Sequence, residues 1–586
     1  MAFTFPCFLV LCSVLLHFRF GLGRKLGVLS EDSVLDFIIS LPLSNEHLLD
    51  QFLYDLYNPE ATENVHPKYL SPDEFHLKFG PSGEQIEKVK CFCRSNNFRI
   101  HPSNHPNHHL IEVSSRVKEI NSAFKIQIEK HQHDDKNYFY IIPDKNLTLP
   151  DEILTVLGLD NSTRPHHRNP KQKRQRNLYI EVGPPLQPMN IRKAYNLIGI
   201  NLKGKGETIA VVEFDNFKDD DILYYVKNLS LADSVSNVKR VYAGVHPPHS
   251  PVIFGGQAEA TLDIQLILTI APEITILVYI SQNTWKDDLL NYKKIADENL
   301  AKVISTSWGL DEEATPSSFI ISSSKIFKQM AAQGQTVFCA SGDYGAYDGN
   351  FNGNNMRLWV QYPASHPFVT GVGGTQLTFN QTTGAYISEM TWWDGFEGSG
   401  GGVSKLFAIP EYQKSVISYD SLGSKHKRNI PDVSLHANGY LTYVNGKWGI
   451  SRGTSCSTPI WAAFVSLVNE KRNSMGKPRI GFINPILYSI ANQDIYNRSF
   501  HDINDLSTNG HYPAVNGFDL ATGLGSFNGN NLFYQLSGCF RNGTNTTTTS
   551  PTTSGNEFCR SNPKLKVANC RQRIKFCAQS GKPMKW

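Results

Sequence analysis

Charge is scarce in this chain. Only 19% of its 586 residues are Asp, Glu, Lys or Arg, too few for a disordered, self-solvating polymer, and the 11% of aromatic residues point to packed cores. Long apolar runs are missing beyond residue 23, so no transmembrane helix is expected. Paired CxxC knuckles are missing too. The four cysteines crowded near the C-terminus, Cys539, Cys559, Cys570 and Cys577, therefore read as a disulfide-stapled module rather than a zinc site. The net charge is a modest +4, and its basic part is local: 161–176 holds six Lys/Arg and no acid. Nucleic acid is therefore not an expected partner.

What is present divides the chain. Residues 1–23 form an apolar N-terminal stretch read as a cleaved secretory signal. Sequons at Asn146, Asn161, Asn228, Asn380, Asn497, Asn542 and Asn545 agree with secretory entry. Residues 24–160 alternate helical and strand-like segments and form an α+β domain. Its helix openings are explicit: Ser71, Pro72 and Glu74 make a capping box with proline in the first turn. A helix is also expected over 46–60, and another from RVKEINSAFKIQIEK (116–130). The polar, basic 161–176 cannot bury a core and reads as a protease-accessible activation linker. Residues 177–538 make the largest domain, and 539–586 a Thr-rich linker with the Cys-rich basic tail. Cys91, Cys93, Cys339 and Cys456 read as buried thiols.

Within 177–538, ETIAVVEF (207–214), ITILVYI (274–280), AKVISTSWG (301–309) and GQTVFCASGD (334–343) are β-branched runs separated by helices. That pattern means a parallel sheet covered on both faces. Ligands on such sheets collect beyond the strand carboxyl ends, where SWG and SGD carry polar residues and glycine.

The stretch GTSCSTP (453–459) leads into the apolar IWAAFVSLVNE. Pro459 suits a helix's first turn, which puts Ser455 just ahead of a helix N-terminus, where free N–H groups favour developing negative charge. Such a serine is either a cap or a nucleophile. A nucleophile needs a base, and the usual histidine-bearing HGTHVAG helix is absent. Its place is taken by GGQAEATLDIQLILTIAPEI (255–274), where Glu259 and Asp263 share one helical face. Flanked by apolar residues, the two carboxylates are expected to be partly buried and to share a proton. His246 and His249 read as surface histidines, and Asp215 as a loop residue.

Taken together, GTSCSTP, the E-x-x-x-D of 259–263, SGDYG with Asp343, YPASHPFVTGVGGT (362–375), SGGGVS (399–404) and RNIPDVS (428–434) resemble the sedolisins, the serine-carboxyl peptidases, of the tripeptidyl-peptidase type. The resemblance extends over roughly 45–536 and includes LSPDEFHLKFGPS and PMNIRKAYNL. It implies a subtilisin-like α/β peptidase domain behind a ferredoxin-like α+β prodomain. It also implies Ser455 as nucleophile, Glu259 as general base, Asp263 as the group that orients it, and Asp343 in the oxyanion hole. Carboxylates in place of histidine imply work in acid. Further implications are peptide or unfolded-protein substrates, the propeptide as intramolecular inhibitor, and a lysosomal or secreted location. One Ca2+ ion is implied on the Asp502 and Asp519 carboxylates and the Ile503, Val515 and Gly517 carbonyls. Arg452 departs from the family pattern and bears on substrate preference.

Overall fold

The computed structural model describes residues 24–58, 68–102, 108–132, 139–166, 186–243, 256–347 and 357–538. The expected signal 1–23, the linker beyond residue 166, His246, His249 and the tail 539–586 lie outside the described residues.

The N-terminal part contains β1 (Arg24–Val28), β2 (Val34–Ser40), α1 (Glu46–Tyr57), α2 (Pro72–Phe79), α3 (Gly83–Ser95), β3 (Arg99–Ile100), β4 (Leu110–Arg116), α4 (Val117–Phe124), β5 (Ile128–Gln132), β6 (Phe139–Pro143) and β7 (Thr155–Leu157). Its main sheet has the order β3-β4-β2-β7 and is antiparallel throughout. With α3 and α4 as the two crossings this is the ferredoxin-like arrangement. The Ser71 and Glu74 capping box forms as the sequence dictates. The segment 116–130 corrects the expectation of one helix: Lys125 adopts a left-handed conformation that closes α4, and the remainder becomes strand β5. Cys91 is another correction. It lies on the exposed side of α3, while Cys93, Cys339 and Cys456 are buried.

Side-chain alternation along β2 joins the two parts of the molecule. Phe37 and Ile39 face α3 and α4 in the domain's own core. Ile38 points the other way, and with Leu110 and Leu157 it enters an apolar cluster belonging to the second part. Leu49, Leu53, Phe75 and Phe79 likewise pack with Ala331, Ala332 and Phe482.

The second part contains α5 (Pro188–Ala194), β8 (Thr208–Glu213), α6 (Asp219–Asn228), β9 (Val238–Tyr242), α7 (Gly256–Ile270), β10 (Thr275–Ile280), α8 (Trp285–Glu298), β11 (Val303–Thr306), β12 (Leu310–Asp311), α9 (Ser317–Ala332), β13 (Thr336–Ala340), β14 (Gln361–Tyr362), β15 (Thr370–Phe379), β16 (Tyr386–Thr391), β17 (Gly402–Ala408), β18 (Lys427–Ile430), β19 (Val433–His436), β20 (Asn438–Val444), β21 (Lys447–Arg452) and α10 (Thr454–Ser474). The central sheet runs β16-β15-β13-β11-β8-β10-β9, with β19 also paired to β15. Its interior pairings are parallel, and only β16 runs against them. Both faces are covered, as continuous apolar strands require. Ile209 and Val211 of β8 pack in the cluster that includes α7 and α10. Ala210 and Val212 face the opposite cluster with α8 and α9.

Candidate active site

Four segments meet where the strands end at their carboxyl side: the first turn of α10, the buried face of α7, and the residues after β13 and after β11. Helix α10 begins at Thr454, two residues earlier than a helix opening just after Ser455 would, so Ser455 lies inside the first turn rather than ahead of it. Pro459 sits within the helix. Having no N–H, it cannot donate to the Ser455 carbonyl, the bond a regular helix would make there. The preceding residue, Gly453, has φ +127°, and a Cβ at that position would stand 2.9 Å from Asp343 Oδ2. Only glycine lets the chain enter the helix this close to a carboxylate.

That carboxylate is fixed to the same turn. Thr454 donates twice to Asp343 Oδ1, from its backbone N–H at 2.7 Å and from Oγ1 at 2.9 Å. Gly398 N–H holds the Asp343 carbonyl at 2.8 Å. Glu259 and Asp263 project from α7 and are buried, 5% and 0% exposed. Ser307, just past β11, donates its hydroxyl to Asp263 with both oxygens at 3.2 Å. Burial pushes the Asp263 carboxyl well above its usual range, the Glu259 charge adds to this, and the Ser307 hydrogen bond opposes it. The thiol of Cys456, next in chain to Ser455, is also pushed up, first by burial and then by Glu259, Asp343 and Asp263. All three carboxylates thus lie around the start of α10.

A fourth carboxylate belongs to the cluster and was not singled out from the sequence. Glu213 ends β8, fully buried, and accepts a hydrogen bond from Trp308 Nε1 at 3.0 Å. Burial raises its pKa, with Asp263 and then Glu259 adding to the effect. The signal was an acid standing inside the apolar run VVEF. Asp215, read as a loop residue, follows β8 and adds its charge to the same group. Histidine is otherwise engaged here: burial pushes His436 down to about 4, and its Nδ1 accepts the Leu377 N–H. The RNIPDVS motif is structural. Arg428 and Asp432 form a fully buried ion pair, and Asp432 Oδ2 accepts the Gly371 N–H at 2.7 Å. Arg452 stands at the end of β21 with Asp394 and Glu397 at 3.7 and 3.6 Å.

The strand end that carries Ser307 has a neighbour from the first part of the chain. His166 and Gly309 exchange both backbone hydrogen bonds as an antiparallel bridge, at 3.0 and 3.1 Å. The described chain therefore leaves the α+β domain along the 307–309 edge.

The expected cation ligands also converge. Asp502 accepts the Gly517 N–H, and Asp519 accepts the Val515, Ala521 and Thr522 N–H groups. Both carboxyls titrate high from burial, Asp519 at about 8. The Ile503, Val515 and Gly517 carbonyls accept no hydrogen bond from another described residue. The buried Asp519 and half-buried Asp502 carboxylates beside uncommitted carbonyls form an all-oxygen donor set that fits a hard divalent cation.

Comparison with known proteins agrees with this geometry. The Pro-kumamolisin activation domain matches residues 23–162, and the subtilase family matches residues 250–489. The molecule is thus a serine-type peptidase carrying its own activation domain. Kumamolisin of Bacillus sp. (strain MN-32) is 29% identical over 78% of this chain and 84% of its own length. Tripeptidyl-peptidase sed5 of Aspergillus fumigatus is 27% identical over 84% and 93%. The structure of Pseudomonas sedolisin, a serine-carboxyl proteinase, superposes with a TM-score of 0.55 at 27% identity, covering 61% of this chain and 98% of that one. In sequence and in fold the chain is thus similar to the sedolisins.

Proposed function

We propose that Ser455 is the nucleophile of this peptidase, Glu259 its general base, Asp263 the group that orients and tunes Glu259, and Asp343 the oxyanion donor. The observation that carries this reading is the gathering of Glu259, Asp263 and Asp343 around the first turn of α10. In the reaction, Ser455 Oγ attacks the scissile carbonyl carbon and its proton passes to Glu259. The carbonyl oxygen takes up negative charge beside Asp343, which donates a hydrogen bond only when protonated. The C–N bond then breaks and the amine leaves with the proton from Glu259. Water, deprotonated by Glu259, hydrolyses the acyl-enzyme and restores Ser455. A carboxylate base and a carboxylic-acid donor suit acidic conditions.

The product is proposed to be a tripeptide released from a free N-terminus, on the strength of relatives named tripeptidyl-peptidases. Substrates are peptides and unfolded proteins. The chain is proposed to be a zymogen: signal 1–23, prodomain 24–160, activation linker 161–176, peptidase domain 177–538 and basic tail 539–586. The His166 pairing with Gly309 is a backbone bridge two residues past Ser307, which supports the propeptide as intramolecular inhibitor. Asp502, Asp519 and the Ile503, Val515 and Gly517 carbonyls would hold one Ca2+ ion, whose charge would stabilise the loop that joins them. The proposed setting is an acidic one reached through the secretory pathway, lysosomal or extracellular. Among the described residues no helix is long and apolar enough to cross a membrane.

The test incubates purified proprotein in acid with a free-N-terminus peptide and its N-blocked twin, alongside Ser455→Ala. Cleavage of only the free peptide, abolished by the substitution, is expected. Cleavage of both peptides would show an endopeptidase, and an active Ser455→Ala would overturn the mechanism.

A further inference from the structure

Three histidines of the activation domain are buried against the peptidase domain. His76 is on α2, while His108 and His109 lead into β4; they are 4%, 3% and 0% exposed. The His108 ring lies 4.8 Å from that of His76 and stacks on His109 at 4.8 Å. Opposite stands Asp297 of α8, with Oδ1 3.3 Å from His76 Nε2 and Oδ2 3.2 Å from His108 Nε2. Lys293, one turn back on α8, is 3.7 Å from Asp297 and 3.7 Å from Glu112 of β4. Gln329 of α9 also donates to Asp297. Lys325 of α9 acts on His109 and is itself paired with Glu46 of α1.

Two His and one Asp suggest a metal, but the hydrogen bonding argues against it. His108 Nδ1 accepts the Leu110 N–H at 3.0 Å. The neutral ring must then carry its proton on Nε2, 3.2 Å from Asp297 Oδ2, so Nε2 has no lone pair for an ion. The Lys293 ammonium beside the same carboxylate opposes a cation as well. The same bonding makes the ring sensitive to acid: a second proton would land on Nδ1, turning the acceptor of the Leu110 N–H into a competing donor. Leu110 is the first residue of β4, and its side chain is in the apolar cluster shared with the peptidase domain. His109 is more exposed to this problem still, since neither of its ring nitrogens has a hydrogen-bond partner among the described residues. It has nothing to receive a charged ring's protons.

We propose that His108 and His109, packed with His76 against Asp297, are a proton-operated latch: neutral, they let the activation domain dock, and protonated, they force it off the peptidase domain. The inference rests on the zymogen reading but not on the catalytic assignments. Burial pushes His108 down to about 4 from an ordinary 6.5, against the opposing pull of Asp297, and pushes His109 well below 6.5. A base whose pKa is depressed on docking favours the docked state above its free value and loses that contribution as pH falls to its docked value. Complete titration of His108 alone weakens docking by about 300-fold. Asp297 remains ionised, held far below the carboxylate range by His108, His76 and Lys293 although burial alone would raise it.

The experiment uses full-length Ser455→Ala proprotein, which cannot cleave itself. Hydrogen exchange of 110–116 and 285–298 is followed from neutral pH down to about 4, corrected for intrinsic exchange. Loss of protection in both segments between 6.5 and 4 is expected. His108→Gln, which keeps a donor for Asp297 but does not titrate, and His109→Phe, which keeps the stack, should each move the transition to lower pH, by about one unit or more. Protection persisting at pH 4 in the parent protein overturns the proposal, whatever the variants do. An unshifted transition in the double variant also overturns it, as does a shift produced by equimolar Zn2+, which would contradict the tautomer.

Discussion

Gly453→Ala is a one-carbon test of the site. The added Cβ meets Asp343 Oδ2 at 2.9 Å and Cγ at 3.4 Å, on a backbone with φ +127°. Two costs follow and they are separable. The backbone strain belongs to the whole fold and costs about 1–3 kcal/mol of stability. The steric clash belongs to Asp343 alone, whose carboxylate is pinned at 2.7 and 2.9 Å by the Thr454 N–H and Oγ1. It cannot retreat without leaving Thr454, so it leaves the position from which it would donate to the oxyanion. Loss of one such donor costs about 10²–10³-fold in kcat. The variant, processed in trans by wild-type enzyme, is expected to show kcat reduced by about 100-fold or more with KM little changed, alongside a modest loss in chemical denaturation. Asp343→Ala is the partner in a double-mutant cycle. If Gly453 acts through Asp343, the double variant is scarcely worse than either single one. Wild-type kcat in Gly453→Ala, or fully additive losses, would refute the reasoning.

Other outcomes are also fixed by the structure. Asp263 and Glu213 hold their protons more tightly folded than unfolded, so their contribution to stability is full below about pH 4 and is lost as pH rises through their folded pKa values. The processed peptidase domain should therefore unfold at lower temperature at neutral pH than in acid, and Asp263→Asn should reduce that difference; equal midpoints would refute it. Chelation should lower the unfolding midpoint of the processed enzyme, while Asp519→Asn should lower it at the outset and abolish the response to chelator. Glu46→Gln leaves Lys325 and Lys328 without their shared carboxylate. It should weaken activation-domain docking by about 1 kcal/mol, read as faster trans-proteolysis of Ser455→Ala proprotein, and an unchanged rate would count against that ion pair.

Much of this was legible in the sequence because buried parallel strands and capped helices are written locally. ETIAVVEF needs no partner to be read as a covered strand, and Ser71-Pro72-x-Glu74 fixes a helix start by itself. The failures lie where one residue overrides a pattern. Lys125 in a left-handed conformation ends α4 inside a segment whose apolar spacing stays helical. Pro459 read as a first-turn residue, yet α10 accommodates it deeper. Glu213 escaped notice because the partners that give it meaning, Trp308 and Asp263, come from distant segments. The histidine cluster was equally invisible: His76 and Asp297 are 221 residues apart in sequence, and only domain docking makes them neighbours.

The pairing of His166 with Gly309 through backbone groups has a consequence for selectivity. A strand edge that reads N–H and C=O reads what every peptide shares, and side-chain identity enters it weakly. A folded protein has already committed those groups to its own helices and sheets, whereas an unravelled chain has them to spare. An edge of this kind sorts chains by whether their backbone is spoken for, which suits a scavenger of denatured material better than a processor of one chosen sequence. Under the proposed reading, native neighbours would be spared by the hydrogen bonds that hold them folded.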